Sequence, residues 1–390
     1  MSNRATDHIR KAADFSLILC FMITIWLPFT DELLGLDKSK KPVEKRQLAS
    51  RPDFLWHWEG LLRYPPEYEA YFNDHFGFRN WLINWHNRMK VKWLGEISTR
   101  RMVKGKDGWY FFTGDMILEY CCRATEPFSR DELMQWQRKV EQWRDWLAQR
   151  KTKFLLVIVP NKHTVYSEYL PEWVTRIGDK SRLEQLVEHM KEHSDIELLD
   201  LRDALFAAKK DGRLHHRTDT HWNDRGAYVA YREIMLRLGR WFENVKPKPR
   251  SSFIVNTVTG RGGDLAVLMG QERSIKEDRV VFEPATPRCA QKVDPGELMT
   301  METWARDAEP VVTECPGGEI KRAVVFRDSY CNALIPFLSE HFGRVTYIWR
   351  HELNPRIIEH EQPDIVIFEV LERMLTRVLH KNEANEADER

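Results

Sequence analysis

The 390-residue sequence lacks several features that would assign a function directly. Its six cysteines form no CxxC pair and have no zinc-ligand spacing, so a zinc site built from thiolates is not indicated. Cys289 and Cys315 could form a disulfide if this part of the chain is exported, but buried free thiols are the preferred interpretation. The formal net charge is only +1, which gives no general electrostatic attraction to nucleic acid. No internal repeats are visible.

No uncharged run is long enough by itself to span a bilayer. Residues 15–30 carry no charge over 16 positions, whereas a membrane-spanning helix needs about 20. Ala12 and Ala13 would extend the run if Asp14 lay at the membrane interface. No small-residue cleavage site follows, since residues 26–29 are bulky apart from Pro28. We therefore predict an uncleaved signal anchor at 1–34, with a buried core helix as the alternative.

What the sequence does contain is typical of a globular enzyme-sized domain. Hydrophobic residues make up 42% of the chain and charged residues 31%, which provides both a core and a soluble surface. The 15 tryptophans must largely fill the core, although exposed tryptophans also stack on sugar rings. We predict a linker at 35–54, one domain at 55–380 and a disordered tail at 381–390.

Helical and extended patterns alternate through the second half of the chain. A helix is predicted at 130–149, with Ser129 as its N-cap and Glu132 as the capping-box partner. The continuous apolar run at 153–159 is typical of a central parallel strand. Beyond it the pattern predicts helices at 181–193, 223–242, 332–342 and 353–361, and strands at 196–199, 322–326, 344–349 and 364–369.

This alternation predicts an α/β fold: a three-layer α/β/α sandwich with a mainly parallel sheet, preceded by the N-terminal membrane-anchor helix. Residues 245–320 interrupt the rhythm with proline and glycine. We predict a loop-rich insertion there.

A serine lies where one of these strands would turn into a helix. Residues 324–326 form a short apolar run, Arg327, Asp328 and Ser329 follow abruptly, and helical spacing begins at 332. A serine at such a turn can expose its hydroxyl group close to free backbone N–H groups. An Asp-Ser pair alone is more typical of an ordinary turn, so a catalytic role requires partners elsewhere in the chain.

The best candidate partners are Asp219 and His221. In an extended segment, side chains two residues apart leave the same face, so the carboxylate can orient an imidazole that activates a serine hydroxyl. Asn223 can cap the following helix, whose positive end favours a neutral imidazole. A capping or core role for His221 is the simpler alternative.

Metal binding by His215, His216, Asp219 and His221 is a second interpretation of the same stretch. It would need ligands converging from elsewhere, and no other His/Cys cluster has suitable spacing. We therefore predict no metal site and expect His215 and His216 to be solvated loop residues.

Five short motifs occur together in one order along the chain, at 74–79, 105–109, 159–162, 218–222 and 326–329. Together they resemble the SGNH-hydrolase-like polysaccharide O-acetyltransferases of the alginate O-acetyltransferase (AlgJ/AlgX) family, over about residues 55–375. The resemblance implies an SGNH-like fold without cofactor or metal. It also implies a catalytic domain in the periplasm, anchored to the bacterial inner membrane by one helix. The substrate would be an exopolysaccharide such as alginate, with acetyl supplied by a multi-spanning membrane O-acyltransferase.

Carried onto this sequence, the resemblance makes Ser329 the nucleophile and acetyl carrier, His221 the general base and Asp219 its orienting partner. The backbone N–H of Ser329 is the first candidate to stabilise the oxyanion. Arg327, Asn161 and Tyr330 are further candidates for oxyanion or substrate binding. Arg327 departs from the family, which often has a small residue near this position.

Three functions are compatible with these residues. The leading one is O-acetyl transfer to a polysaccharide through an acetyl-serine. A carbohydrate acetylesterase would use the same triad and differ only in whether water or a sugar hydroxyl attacks the intermediate. A non-catalytic protein of polysaccharide assembly or binding could retain the fold without the reaction.

Overall fold

The computed structural model describes residues 2–34, 49–54, 56–79, 82, 85, 98–99, 101–301, 304 and 308–379. The chain divides into two compact units. One comprises Met1–Glu96, Leu268–Gly270 and Asn382–Arg390, and the other comprises Ile97–Val267 and Gln271–Lys381. Most of the predicted linker at 35–54 and all of the predicted tail at 381–390 lie outside the described residues, so those domain limits stay predictions.

The unit that begins at the N-terminus contains two long helices, α1 (Ser2–Leu34) and α2 (Trp58–His75). Helix α1 contains the whole uncharged run at 15–30. Along the described residues, however, no helix combines the length with the apolar character that crossing a membrane requires. The predictions of a signal anchor and of a single-pass inner-membrane protein are therefore wrong. Asp14 and Asp31 border the run, which keeps it below the necessary length of about 20 residues.

The remainder of the described chain carries a three-stranded sheet, a seven-stranded sheet and a two-stranded hairpin. The strands are β1 (Ser98–Thr99), β2 (Met102–Lys104), β3 (Tyr110–Phe112), β4 (Lys153–Val159), β5 (Leu198–Asp200), β6 (Phe253–Arg261), β7 (Lys276–Pro284), β8 (Gln291–Val293), β9 (Val311–Glu314), β10 (Ile320–Arg327), β11 (Phe342–Trp349) and β12 (Ile365–Leu371). The helices are α3 (Arg130–Ala148), α4 (Lys162–Val165), α5 (Arg182–His193), α6 (Arg202–Ala208), α7 (Asp224–Leu238), α8 (Asp264–Leu268), α9 (Leu298–Met301), α10 (Ile335–Leu338), α11 (Pro355–Glu361) and α12 (Leu375–Leu379).

The seven-stranded sheet has the order β5-β4-β12-β10-β11-β9-β8. Strands β5, β4, β12, β10 and β11 are mutually parallel, whereas β9 and β8 are antiparallel to their neighbours. The sheet is therefore mixed, where the sequence predicted a mainly parallel one. Parallel strands share one carboxyl edge, and the side chains that follow β4, β10 and β12 meet there.

Both faces of this sheet are buried, which explains the continuous apolar sequence of β4. Leu155, Val157 and Val159 pack on the side of α6, α7 and β7. Phe154, Leu156 and Ile158 pack on the side of α3, α5 and α11. The result is a helix–sheet–helix arrangement of three layers.

The predicted elements of the sheet and its helices are largely confirmed. Helix α3 begins after Ser129, which forms the predicted capping box with Glu132. The predicted helix at 332–342 is wrong in form. It is split into a 3₁₀ turn at Ser329–Ala333, the short α10, and a second 3₁₀ turn at Ser339–His341. Strand β11 then follows directly.

The predicted loop-rich insertion at 245–320 contains regular structure instead. Strands β6 and β7 pair as an antiparallel hairpin, and β8 and β9 extend the main sheet. Cys289 and Cys315 are joined by a disulfide, so the preferred interpretation as free thiols is wrong for this pair. The β8–β9 register pairs Gln291 with Glu314, and this pairing brings the two cysteines, which flank it, to the same end.

Candidate active site

Ser329 follows β10 at the carboxyl edge of the sheet and starts a short 3₁₀ turn. Asp328 anchors this turn: its Oδ1 accepts the N–H of Tyr330 at 2.8 Å, and its Oδ2 accepts the N–H of Leu371 at 2.8 Å. The N–H of Asp328 donates to Glu369 Oε2 at 3.0 Å. The turn is thereby tied to the end of β12, and Ser329 is left half-buried.

Asp219, His221 and Ser329 form one continuous hydrogen-bonded chain. His221 Nδ1 donates to Asp219 Oδ1 at 2.7 Å, and the Ser329 hydroxyl donates to His221 Nε2 at 2.8 Å. The His221 side chain is 28% exposed and the Asp219 side chain 20%, so the pair opens to solvent on one side only. This is the arrangement that a serine nucleophile needs: a base in contact with it and a carboxylate that orients the base.

The electrostatics of Asp219 suit that arrangement. Burial alone would raise the pKa of Asp219. The hydrogen bond and charge of His221 oppose this, as do the backbone N–H groups of Asp264 and His221, and the net effect is a lowered pKa. The carboxylate therefore stays ionised at neutral pH. An ionised carboxylate stabilises the imidazolium that forms when histidine accepts a proton.

Asn223 is the N-cap of α7, as the sequence predicts. Its Oδ1 accepts the N–H groups of Arg225 and Gly226 at 3.0 and 3.2 Å. The candidate base His221 therefore lies just before a helix N-terminus.

The Tyr330 ring packs against the imidazole of His221. Its ring centroid lies 5.1 Å from that of His221, and its hydroxyl group donates to the carbonyl oxygen of Thr220. The Trp222 indole in turn donates to the Tyr330 carbonyl at 3.0 Å. Tyr330 is only 1% exposed and its hydroxyl is occupied inside the protein; its assignment to oxyanion or substrate binding stays a prediction.

Arg327 and Asn161 have hydrogen-bond partners within the protein. Arg327 is buried, donates to Asn332 Oδ1 at 2.8 Å and lies over the Trp349 ring at 4.6 Å. Asn161 is buried as well, and its side-chain amide donates to Cys121 Sγ at 3.0 Å. Among the hydrogen bonds of the described residues, neither side chain contacts Ser329 or His221, and their roles in oxyanion or substrate binding stay predictions.

The segment Thr218–His221 is braced by residues of the region 245–320, for which the sequence predicts a loop-rich insertion. Glu277 of β7 accepts the Thr218 N–H at 2.7 Å and the Thr218 hydroxyl at 2.6 Å. Asp264 accepts the Thr220 N–H at 2.7 Å and the Thr220 hydroxyl at 2.6 Å. The Asp264 N–H also donates to Asp219 Oδ2 at 2.9 Å. The insertion thus holds the Asp219 carboxylate in place.

Gly263 permits this close approach. A Cβ atom at Gly263 would lie 2.4 Å from the Asp219 Cβ and 2.6 Å from its Oδ2. The signal for this contact was present in the sequence as the pair Gly262-Gly263 before Asp264. Adjacent glycines often mark a close backbone approach, but nothing local identifies the partner.

The residues that lie close enough together to share a metal ion differ from those that the sequence suggested. The ligand atoms of Asp219, His221 and Asp264 lie within 4.8 Å of one another, but all three residues are already engaged in the hydrogen bonds described above. His215 is 0% exposed and packs against Tyr166 and Tyr330. The prediction that His215 is a solvated loop residue is therefore wrong. It is a core histidine whose pKa burial lowers well below the usual value.

Comparisons with known proteins agree with the fold. A family model described as "SGNH hydrolase-like domain, acetyltransferase AlgX" matches residues 102–301. The "Probable alginate O-acetylase AlgJ" of Pseudomonas syringae pv. tomato is 27% identical over 269 residues, which cover 67% of this chain and 59% of that protein. The protein of the same name from Pseudomonas aeruginosa is 24% identical over 220 residues, covering 56% and 49%. The chain therefore spans about half the length of these relatives.

Among solved structures, a DHHW family protein from Eubacterium siraeum superposes with a TM-score of 0.53 at 16% identity. The match covers 75% of this chain and 96% of the other. At that identity the similarity concerns the fold alone.

Proposed function

This chain belongs to the family of SGNH hydrolase-like domains of the acetyltransferase AlgX, and on that premise we propose that it is a polysaccharide O-acetyltransferase. The observation that carries the proposal is the hydrogen-bonded chain from Asp219 through His221 to Ser329. Relatives named as probable alginate O-acetylases support acetyl as the group and an alginate-like exopolysaccharide as the acceptor.

The first half-reaction would load the enzyme. The Ser329 hydroxyl gives its proton to His221 Nε2 as its oxygen attacks the carbonyl carbon of an acetyl ester. The tetrahedral intermediate collapses, the ester C–O bond breaks, and the leaving alkoxide takes the proton from the imidazolium. The products are acetyl-Ser329 and the free alcohol.

The second half-reaction would reverse the roles with a new alcohol. A sugar hydroxyl gives its proton to His221 Nε2 and attacks the acetyl carbonyl carbon. When the second tetrahedral intermediate collapses, Ser329 leaves and recovers the proton, and the sugar carries the acetyl ester. Asp219 stabilises the imidazolium in both steps, which is why its ionised state matters.

The oxyanion would form beside the start of the 3₁₀ turn. Ser329 is the first residue of that turn. At the first positions of a helical turn, the backbone N–H has no hydrogen-bond partner within the turn itself. The Ser329 N–H is the oxyanion donor that we propose. In this proposal a multi-spanning membrane O-acyltransferase supplies the acetyl group, as the family resemblance implies.

Replacing the nucleophile tests the proposal. Ser329→Ala should abolish formation of the acetyl-enzyme and acetylation of oligosaccharide acceptors while circular dichroism and thermal unfolding stay unchanged. Ser167→Ala, at an exposed serine, is the matched control and should keep the wild-type rate. Mass spectrometry after acid quenching detects acetyl on the Ser329 peptide when p-nitrophenyl acetate is the donor. Acetylation of polymer at the wild-type rate by Ser329→Ala would refute the assignment.

The same assay separates transfer from hydrolysis. With alginate oligosaccharides present, a transferase should place most of the released acetyl on sugar, and free acetate should be the minor product. Dominant acetate release at saturating acceptor would instead identify an acetylesterase.

A further inference from the structure

Lys162 lies beneath the Asp219–His221 segment and has no part in the reaction as written above. It is the first residue of α4, directly after β4, and only 2% of it is exposed. Its ammonium donates to three backbone carbonyl oxygens, those of Tyr110 at 2.7 Å, Arg217 at 2.8 Å and Asp219 at 3.0 Å. The Asp219 carbonyl belongs to the segment that carries the proposed carboxylate and base, and the Arg217 carbonyl immediately precedes the Thr218–His221 segment.

The same ammonium is enclosed by aromatic rings. It lies 5.0 Å from the centroid of the Trp109 ring and 5.2 Å from that of Phe111. Three of the five sequence motifs therefore meet at the Lys162 ammonium: those at 105–109, 159–162 and 218–222 contribute Trp109, Lys162 itself and Asp219. A buried cation is costly unless all its donors are satisfied, and here three carbonyls provide one acceptor for each N–H.

The number of acceptors distinguishes the two protonation states. An ammonium has three N–H donors, but a neutral amine has only two, so loss of the proton must release at least one carbonyl. Burial lowers the pKa of Lys162 to about 7. The carboxylates of Asp219, Glu277 and Asp264 oppose that effect, and Arg213 adds to it. The neighbouring imidazoles of His163 and His215 have pKa values lowered by burial and by the Lys162 charge itself, so they add no competing cation near neutral pH.

We propose that Lys162 is a positioning residue of this site, whose protonated side chain sets the placement of the Asp219–His221 segment against Ser329. The proposal rests on the catalytic roles proposed above. Glu277 and Asp264 hold the segment through its N–H and hydroxyl groups, whereas Lys162 holds it through the carbonyl oxygen of Asp219 and that of Arg217, just before it. Without the ammonium the segment loses the hydrogen bonds that its carbonyl side receives from Lys162. His221 then shifts relative to the serine hydroxyl.

The substitution that tests this is Lys162→Met, which retains the length of the side chain and removes its charge and donors. A misplacement of about 1 Å in a catalytic group can cost about 100-fold in rate, so we expect a fall of that order in kcat for p-nitrophenyl acetate with little change in KM. Lys209→Met is the matched control. Lys209 also donates to a backbone carbonyl, that of Val165 at 2.9 Å, and lies 4.7 Å from the Tyr166 ring. It should retain wild-type kcat.

A pH profile provides a readout that a merely structural lysine would not change. We expect labelling of Ser329 by a fluorophosphonate probe to slow above about pH 7 in the wild type, as Lys162 loses its proton, and Lys162→Met to lack this alkaline decline. If Lys162→Met does not fold, the wild-type profile alone decides: a labelling rate that is constant or rising from neutral to mildly alkaline pH overturns the proposal.

The outcomes also separate this inference from the proposed function. No labelling of wild-type Ser329 by the probe would contradict the proposed catalytic site itself. Normal labelling of the wild type, together with an equal rate in folded Lys162→Met, would contradict only the role of Lys162.

Discussion

At the scale of single residues, Asp219 uses both carboxylate oxygens. Oδ1 accepts the backbone N–H and the Nδ1–H of His221, at 3.0 and 2.7 Å. Oδ2 accepts the N–H of Asp264 at 2.9 Å. The orientation of the imidazole is therefore established in the resting protein, before any substrate is bound.

Asp219→Asn should lower kcat by roughly four orders of magnitude. An amide has one oxygen in place of two and no charge, so it cannot accept from both His221 and Asp264 or stabilise an imidazolium. Steady-state rates with p-nitrophenyl acetate measure the effect. Asp278→Asn, at an exposed carboxylate on β7, is the control and should be unaffected. Retention of activity within tenfold of wild type by Asp219→Asn would contradict this role.

Gly263→Ala should impair both the rate and the fold. The new methyl group would lie 2.4 Å from the Asp219 Cβ, so either the carboxylate or the backbone must move. Overpacking of this kind typically costs about 1–3 kcal/mol in the free energy of unfolding, and a displaced carboxylate should cost about 100-fold in kcat. Gly317→Ala is the matched control, since a Cβ there meets nothing within 4 Å. Urea unfolding and kcat should show no difference between it and wild type.

At the scale of secondary-structure elements, the hairpin of β6 and β7 serves the site although none of its residues contacts Ser329 among the described hydrogen bonds. Glu277 reaches from β7 to the N–H groups of Arg217 and Thr218 and pairs with Arg213 at 3.0 Å. It is 2% exposed. The hairpin thus supplies a buried carboxylate that accepts hydrogen bonds from the backbone N–H groups of Arg217 and Thr218.

Glu277→Gln should destabilise the protein by about 1–3 kcal/mol, because the amide nitrogen cannot accept the hydrogen bonds that one carboxylate oxygen accepts now. The ion pair with Arg213 is lost as well. Glu283→Gln on the same strand is the control. Its carboxylate is exposed and accepts one bond from Asn256 at 3.2 Å. Equal urea midpoints for the two variants would show that Glu277 does not brace the loop.

At the scale of the whole molecule, the buried charge of Lys162 should appear in the pH dependence of stability. The pKa of Lys162 is about 7 in the folded protein, whereas an unfolded lysine has a pKa of about 10.4. Between those values the unfolded chain binds more protons, so this residue makes the free energy of unfolding rise with pH, by up to about 1.4 kcal/mol per pH unit. Stability and activity should therefore change in opposite directions above neutral pH.

The difference between wild type and Lys162→Met isolates this contribution. Burial raises the pKa values of Glu369 and Glu372, and those groups make stability fall as pH rises, so the wild-type curve alone mixes the effects. Urea unfolding at several pH values from neutral to alkaline should show the wild type gaining stability relative to the variant. A difference that does not change with pH would mean that Lys162 titrates alike in the folded and unfolded states.

Local patterns determined much of the architecture. The capping box at Ser129, the apolar run of β4 and the Asn223 cap are properties of neighbouring residues, so their signals are complete within a few positions. The spacing of Asp219 and His221 likewise places two side chains on one face of an extended segment. The sequence by itself thus determined the alternating α/β elements and, with the ordered motifs, the triad candidates.

Only the tertiary structure decided which residues surround them. The contacts of Glu277, Asp264 and Lys162 with the 218–221 segment span about 40 to 60 positions of the chain, and no local periodicity encodes such a distance. Arg327 and Asn161 were candidates because they lie near Ser329 in sequence or at a strand end, but only the structure shows that both are buried and bonded to Asn332 and Cys121. Residue type and spacing specify which side chains can react; the packing of distant segments specifies what holds them in position, because hydrogen-bond partners depend on where the backbone has been brought.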